Sequence, residues 1–332
     1  MEKKFIEVCS GCGGMSLGFL EAGYQPVLLN DNNKTCCETL TINHPDVKIE
    51  CKDMKKLDLT NSSPFNGLLI GGVPCQSFSL SGKRKGLDDK RGNLIIYFKT
   101  LLDQLQPTAF IIENVKGLKI HDKGKTLDKV IENLNSNGNY NIQYKLLNAN
   151  DYEVPQKRER LFIVGIHKRC GLKTFEYPTP LVSKPTLKDA FDNIDSTHED
   201  HIGYQYSSEK VAVFSRVPPG GCWVDLPVDI QKEYMGKNYY QTGGRRGIAK
   251  RLSMDAPSPT LTTNPCQNHA ERCHPIELRP LTILEYRRIQ TFPDDFKLYG
   301  AMSTRYKQIG NAVPVKLAYH IAKSFDKFCE TI

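Results

Sequence analysis

The chain has one tryptophan in 332 residues and no apolar run near the ~20 residues that a membrane-spanning helix requires. Its start, Met1-Glu2-Lys3-Lys4-Phe5-Ile6, leads almost directly into a strand. It carries neither the apolar stretch nor the small-residue cleavage site of an export signal. A soluble, cytoplasmic protein is expected. No Cys-x-x-Cys pair accompanies Cys266 and Cys273-His274, so no metal site is expected there. Cys36 and Cys37 are adjacent on an expected helix and cannot both face one ion, so they read as structural. The 11 cysteines are an odd number, which argues against a disulfide framework. Internal repeats and long low-complexity segments are also missing.

A strong charge imbalance is missing from one region in particular. The net charge is +8, compatible with a polyanionic partner without establishing one. Between residues 181 and 278, however, 11 basic side chains meet 12 acidic ones. The positive excess therefore lies elsewhere. Arg245-Arg246 and Lys250-Arg251 form a local basic cluster in this segment. Composition leaves a solvated loop and a nucleic-acid contact equally open.

What is present in the first half is an alternation of strands and helices. Strands are expected at 5–8, 27–29, 47–50, 68–70, 109–112, 144–147 and 160–165. Helices are expected at 15–22, from 34 to about 42, at 93–105 and at 126–135. This order predicts an α/β fold, a mostly parallel Rossmann-like sheet with helices on both faces. Ligands of such sheets bind beyond the carboxyl ends of the strands. Gly11, Asp31, Asp53, Cys75 and Glu113 each follow a different strand, so they are expected to converge on one crevice. From about Pro178, prolines, glycines and tyrosines replace the alternation. A separate, smaller, loop-rich domain is expected, with helical patterning returning at 282–290 and 314–328.

Three constellations carry chemistry. Ser10-Gly11-Cys12-Gly13-Gly14 follows the first strand, where glycines permit close backbone approach; a purely structural tight turn is the alternative. Asp31 suits a ribose diol, and Asp53 suits an adenine amino group. The Gly-x-Gly-Gly spacing departs from the Gly-x-Gly-x-x-Gly dinucleotide pattern. It favours a mononucleoside-type cofactor such as S-adenosylmethionine over a nicotinamide. Cys75 follows Gly71-Gly72-Val73-Pro74 at the exit of a buried strand, where a thiol is placed to attack rather than to pack.

These residues resemble the DNA cytosine-5 methyltransferases, in particular the compact bacterial enzymes of restriction–modification systems. Ordered blocks carry the resemblance along nearly the whole chain: Gly11-Cys12-Gly13-Gly14, Gly71 to Ser79 around Pro74-Cys75-Gln76, Arg91-Gly92-Asn93-Leu94 and Glu113-Asn114-Val115. It continues through Gln156-Lys157-Arg158-Glu159-Arg160, Arg279-Pro280-Leu281-Thr282, Arg288 to Pro293, and Gln308 to Pro314.

The resemblance implies a division into 1–180 (catalytic and cofactor domain), 181–278 (target recognition), 279–302 (hinge) and 303–332 (a segment returning to the catalytic domain). It implies that a Cys75 thiolate adds to carbon 6 of a flipped-out cytosine, which activates carbon 5 toward the methyl group of S-adenosylmethionine. Glu113 would bond ring N3 and the amino group, Arg160 would hold O2, and Arg158 would act beside them. An Arg–carboxylate bridge at a sheet edge is the plain alternative for that pair. The implied cofactor contacts are Cys9, Ser10, Gly11, Cys12, Gly13, Gly14, Asp31, Asn32, Asp53, Met54, Pro74, Leu94, Asn311, Ala312 and Val313.

Duplex DNA is the implied partner. Gln76, Ser79, Ser81, Lys83 and Arg84 are expected on a loop that closes over the base. Arg245, Arg246, Lys250, Arg251 and Arg272 are expected at the DNA, with Thr260, Thr262, Thr263 and Gln267 as further base-reading candidates. Trp223 reads as packing. A monomer is expected, and a cognate restriction endonuclease is the implied partner of the system. Two departures stand out: Cys9 where the family has Phe, and Asp31-Asn32 where it has Glu followed by an aromatic residue. The competing readings are a tRNA methyltransferase of the related branch, a catalytically dead DNA-binding homologue and, more remotely, a nicotinamide oxidoreductase.

Overall fold

A computed structural model describes residues 1–73, 94–171, 174–241, 247–267 and 270–326. The strands are β1 (Lys4–Val8), β2 (Gln25–Asp31), β3 (Lys48–Cys51), β4 (Leu68–Gly71), β5 (Ala109–Val115), β6 (Tyr140–Asn148), β7 (Gln156–Lys157), β8 (Glu159–His167) and β9 (Ser258–Pro259). The helices of the first half are α1 (Gly14–Glu21), α2 (Lys34–Asn43), α3 (Leu94–Leu105), α4 (Lys116–Ile120) and α5 (Lys125–Leu134). Those of the second half are α6 (Leu187–Phe191), α7 (Ser208–Phe214), α8 (Val228–Met235), α9 (Ile283–Ile289), α10 (Met302–Asn311) and α11 (Val315–Ser324).

Seven strands form one sheet in the order β3-β2-β1-β4-β5-β8-β6. From β3 to β5 every neighbouring pair is parallel. That part meets the expectation, because crossover helices between parallel strands cover both faces. β8 runs antiparallel to both β5 and β6, so the sheet is mostly parallel, as expected. The antiparallel partner also lengthens β5. Its pairing with β8 continues to Val115 opposite Arg160, so Glu113 lies within the strand rather than beyond it.

Side chains alternate between two cores, as the two-residue period of a strand demands. Phe5, Leu68, Ile70, Ala109 and Ile111 face α1 and α11. Ile6, Val8, Leu69, Phe110 and Ile112 face α3 and α5. The chain proceeds from β1 outward to β2 and β3, then returns to place β4 on the other side of β1. The carboxyl ends of β1 and β4 therefore flank a topological switch point, where such sheets leave a crevice.

Two further cores complete the molecule. One joins α6, α9 and α10 through Leu187, Ile283, Tyr286, Tyr306 and Ile309. The other, within the middle segment, gathers Phe214, Val217, Leu226, Met235, Ile248 and Cys273, with the half-buried Trp223 packed against it. Helix α10 escapes sequence reading because its buried face carries little apolar signal. Tyr306 and Ile309 share that face with Gln308 and Gly310.

The first and last helices of the large sheet touch closely. At Gly18, a β-carbon would lie 2.4 Å from the Val315 carbonyl oxygen and 2.7 Å from Ala318 Cβ. Backbone cannot yield as a flexible side chain can. Gly18→Ala is expected to lower unfolding stability by about 1–3 kcal/mol, measured by urea denaturation; an unchanged midpoint would contradict the packing argument.

Candidate active site

The crevice at the switch point is a cavity of about 690 Å³. Its wall is built from the turn after β1, the end of β2, Gly72-Val73 after β4, the end of β5, the start of β8, residues 261–263, and the segment from α10 to Val313. A volume of this size suits a small-molecule site.

Backbone geometry makes the turn. Cys9, Gly11 and Gly13 all take positive φ, at 54°, 56° and 90°. Left-handed backbone favours glycine, so Cys9 sits there against its intrinsic preference. Asp31 holds the turn. Its Oδ2 accepts the Gly11 N–H at 2.9 Å, and its Oδ1 accepts the Asn33 N–H at 2.8 Å. Burial raises the Asp31 pKa, and the backbone N–H groups of Asn33, Gly11 and Asn32 oppose the shift. Asn33 in turn caps α2, accepting from the Thr35 and Cys36 N–H groups.

The expected cofactor residues divide into two sets. Cys9, Ser10, Gly11, Asp31, Asn32, Asn311, Ala312 and Val313 line the cavity. Cys12, Gly13, Gly14, Asp53, Met54 and Leu94 are not among the residues that line it. Gly14 is needed for the approach of the protein's own chain: a β-carbon there would lie 2.3 Å from the Val313 carbonyl oxygen. The Cys12 thiol contacts the Gln308 carbonyl oxygen at 3.5 Å. Asp53 caps a short turn by accepting the Lys55 N–H at 3.0 Å. Met54 is buried, with its sulfur 3.5 Å from the Cys9 thiol. Burial, reinforced by Asp31, Asp53 and Glu7, pushes the Cys9 thiol up to about 12. Leu94 opens α3 and packs into the core on that face.

On the opposite wall, Arg160 Nε meets Glu113 Oε1 at 2.9 Å, with both side chains about one-seventh exposed. Burial raises the Glu113 pKa, while Arg160 and then Arg158 pull it back. The adjacent Asn114 is buried and donates from Nδ2 to the Val73 carbonyl at 3.0 Å. It thereby anchors the last described residue before Pro74 and Cys75. Those two residues, and Gln76, Ser79, Ser81, Lys83 and Arg84, lie outside the described residues, as do Arg245 and Arg246.

Arg158 differs from Arg160. It is 1 % exposed, and its terminal nitrogens donate to the carbonyls of Leu261 (3.4 Å), Gly310 (3.0 Å) and Ala312 (3.0 Å). Its terminal nitrogens thus brace the backbone of the wall, while its Nε has no hydrogen-bond partner and the residue lines the cavity.

Three middle-segment residues expected at DNA donate to the protein's own carbonyls. Arg272 is buried and donates to the carbonyls of Glu271 and Thr260. Arg251 spends its nitrogens on the carbonyls of Pro275, Val217 and Ile276. Lys250 Nζ bonds the Gly220 carbonyl. Unpaired carbonyls of loop-rich chain need donors, and these cations supply them. By contrast Thr262, Thr263 and Gln267 do reach the cavity wall. Among the described residues, no three His, Cys, Asp or Glu side chains converge as a metal site.

Glu7 was not anticipated. It sits inside β1, is 1 % exposed, lines the cavity, and its Oε2 has no hydrogen-bond partner. Burial raises its pKa to about 8, against a bond from Ser16. The signal was a lone acid in the otherwise apolar run Phe5-Ile6-Glu7-Val8. Thr304, Lys307 and Gln308 on α10 also line the cavity and were missed with that helix.

The sequence model of the C-5 cytosine-specific DNA methylases matches residues 3–327. The chain is 44% identical over 324 residues to the Type II methyltransferase M.Eco47II of Escherichia coli, covering 96% of this chain and 78% of that protein. It is 44% identical over 326 residues to the Type II methyltransferase M.Sau96I of Staphylococcus aureus, covering 96% and 74%. A solved structure of a prophage-encoded Escherichia coli protein, described as a DNA modification methyltransferase, superposes with a TM-score of 0.73 at 25% identity, covering 98% and 99% of the two chains. The methyltransferase EhMeth of Entamoeba histolytica shares the fold with a TM-score of 0.70 at 17% identity, covering 99% of each chain. With its doubly covered sheet and switch-point cavity, the chain belongs to the C-5 cytosine-specific DNA methylase family and is a DNA (cytosine-5-)-methyltransferase.

Proposed function

We propose that the protein transfers a methyl group from S-adenosylmethionine to carbon 5 of a cytosine flipped out of duplex DNA, as the protective, sequence-specific methylase of a restriction–modification system. The observation that carries this reading is the Glu113–Arg160 pair on the cavity wall, next to the Asn114 anchor that leads into Pro74-Cys75. The Type II description of the 44%-identical relatives supports the system-level part.

Bound S-adenosylmethionine supplies an electrophilic methyl group on a sulfonium. The residues at the β1 and β2 ends and at 311–313 fit such a nucleoside: an acid held by the turn, peptide edges, and a buried carboxyl facing a cation. Asp31 accepts ribose hydroxyls. Glu7, desolvated and with a free oxygen, accepts from the methionyl ammonium. On the acceptor side, the Cys75 thiolate adds to carbon 6 of cytosine, and carbon 5 gains the electron pair needed to attack. Glu113 bonds the ring N3 and amino edge; its raised pKa suits a carboxyl that carries a proton to N3 as negative charge develops. Arg160 holds O2 and keeps Glu113 oriented. Once the methyl group is in place, a bound water takes the carbon 5 proton, the thiolate leaves carbon 6, and N3 returns its proton to Glu113, which frees the methylated cytosine.

Residues 181–278 read the target sequence, 279–302 act as the hinge and 303–332 return to close the cofactor wall. With Lys250, Arg251 and Arg272 donating to the protein's own carbonyls, base reading falls to the loop around Thr262, Thr263 and Gln267 and to Arg245-Arg246. The enzyme acts as a monomer on DNA and needs no contact with a cognate endonuclease.

Two tests follow from the chemistry. Cys75→Ala is expected to lower methyl transfer into unmethylated plasmid DNA by roughly 10³-fold or more, and Glu113→Gln by roughly 10²-fold, with DNA retention preserved in both. Radiolabel incorporation measures this, and bisulfite sequencing places the product; wild-type label appearing in tRNA and not in DNA would sink the reading.

The Glu7 carboxyl generates a pH signature. Its folded-state pKa lies above the usual value of 4.5, at about 8, so its contribution to stability is full below about 4.5 and is lost as pH rises toward 8. A bound cation reverses the preference and favours the carboxylate. Cofactor affinity is expected to rise with pH up to about 8, with proton release near pH 7. Calorimetry in two buffers of different ionisation enthalpy checks this, and Glu7→Gln is expected to abolish the proton release.

A further inference from the structure

The two ligands of the proposed reaction would meet walls made of different chain segments, and buried amides join those walls. Leu261, Thr262 and Thr263 line the cavity beside Asn311, Ala312 and Val313, from segments far apart in sequence. Gln156 Oε1 accepts the Leu261 N–H at 2.9 Å. Gln156 Nε2 donates to Gln290 Oε1 at 2.8 Å. Gln290 Nε2 donates to the carbonyls of Ile309 (2.7 Å) and Ala312 (3.1 Å). Both glutamines are 0 % exposed. Arg158 runs beside them, from the Leu261 carbonyl to those of Gly310 and Ala312. Leu261 is thus held at both its N–H and its C=O, and Ala312 receives two donors. At Gly310 the walls nearly touch: a β-carbon there would lie 2.4 Å from the Thr262 carbonyl oxygen.

The relay has a direction. Leu261 offers a donor, and Ile309 and Ala312 offer only acceptors. Two amides in series connect them in one arrangement, because flipping either leaves a buried oxygen against an oxygen. Apolar side chains of similar volume would fill the space but would not select a register. Neither glutamine is on the cavity wall, so neither touches substrate.

We infer that Gln156 and Gln290 are positioning residues, a buried amide relay that fixes the 261–263 segment against the 309–313 segment and so sets the shape of the cavity in which the two ligands must align. This rests on the proposed methyl transfer. Reaction between two bound partners depends on near-contact alignment of the reacting atoms, and a misplacement of about 1 Å costs roughly 10²-fold. Loosening the relay should therefore lower turnover more than binding.

Steady-state kinetics on unmethylated plasmid DNA tests this with Gln156→Met and Gln290→Met in the full chain. Each variant is expected to lose at least tenfold in kcat, while KM for cofactor and for plasmid each stay within threefold of wild type. A kcat within twofold of wild type overturns the inference, as does a loss confined to KM. Thermal unfolding checks that the variants fold; if both fail to fold, the pair holds the architecture rather than the spacing, and the inference is overturned. If the wild-type protein methylates no DNA, the underlying reading fails instead, which separates the two claims.

Discussion

The buried guanidinium of Arg158 is the point at which the distant parts of this chain are held together. It enters from the segment just before β8 and donates to carbonyls more than a hundred residues away in each case, at Leu261, Gly310 and Ala312. A guanidinium removed from water is costly unless its donors are satisfied. Here three backbone carbonyls satisfy its terminal nitrogens, while Nε is left without a partner. Remove the cation and those oxygens lose a common partner. The cavity wall then loses the reason for its shape, because residues 261–263 and 310–313 have no strand in common.

Around that brace, close backbone approach does the remaining work. Gly14 and Gly18 let α1 lie against the segment running from Val313 into α11, and Gly310 lets the wall meet Thr262. These are contacts of peptide with peptide. They leave no room for a side chain and little room for adjustment. The site built on them is accordingly a rigid one, with Asp31 fixing the turn after β1 and Asn114 fixing the exit of β4.

Burial then tunes the carboxyls of the cavity in different ways. Glu113 is raised by desolvation but has Arg160 and Arg158 to pull it back. Glu7 is raised with only Ser16 as a counterweight, and the nearby Asp31 pushes it further. One carboxyl is ion-paired with Arg160; the other has an oxygen with no hydrogen-bond partner. Cationic residues of the middle segment show the converse. Arg251 and Arg272 look like nucleic-acid contacts in a list of basic residues, yet a loop-rich segment has carbonyls that no strand or helix satisfies. Those carbonyls recruit the half-buried Arg251 and the buried Arg272 as internal donors.

Much of the architecture was legible because it is local. The apolar strands, the glycine turn and the ordered blocks depend on neighbours in sequence, and their period and spacing carry the parallel core of the fold and the family. Glu113 and Arg160 were legible as residues. What tertiary structure alone decided was their company. Antiparallel β8 lengthened β5 and brought Arg160 onto Glu113. Helix α10 formed with scarcely any apolar face, because Tyr306 and Ile309 found a core elsewhere in the chain. Arg158, Arg251 and Arg272 became braces, and Glu7 became a wall of the cavity. Each of those outcomes depends on which buried atom lacks a partner, and that is determined by segments far apart in sequence.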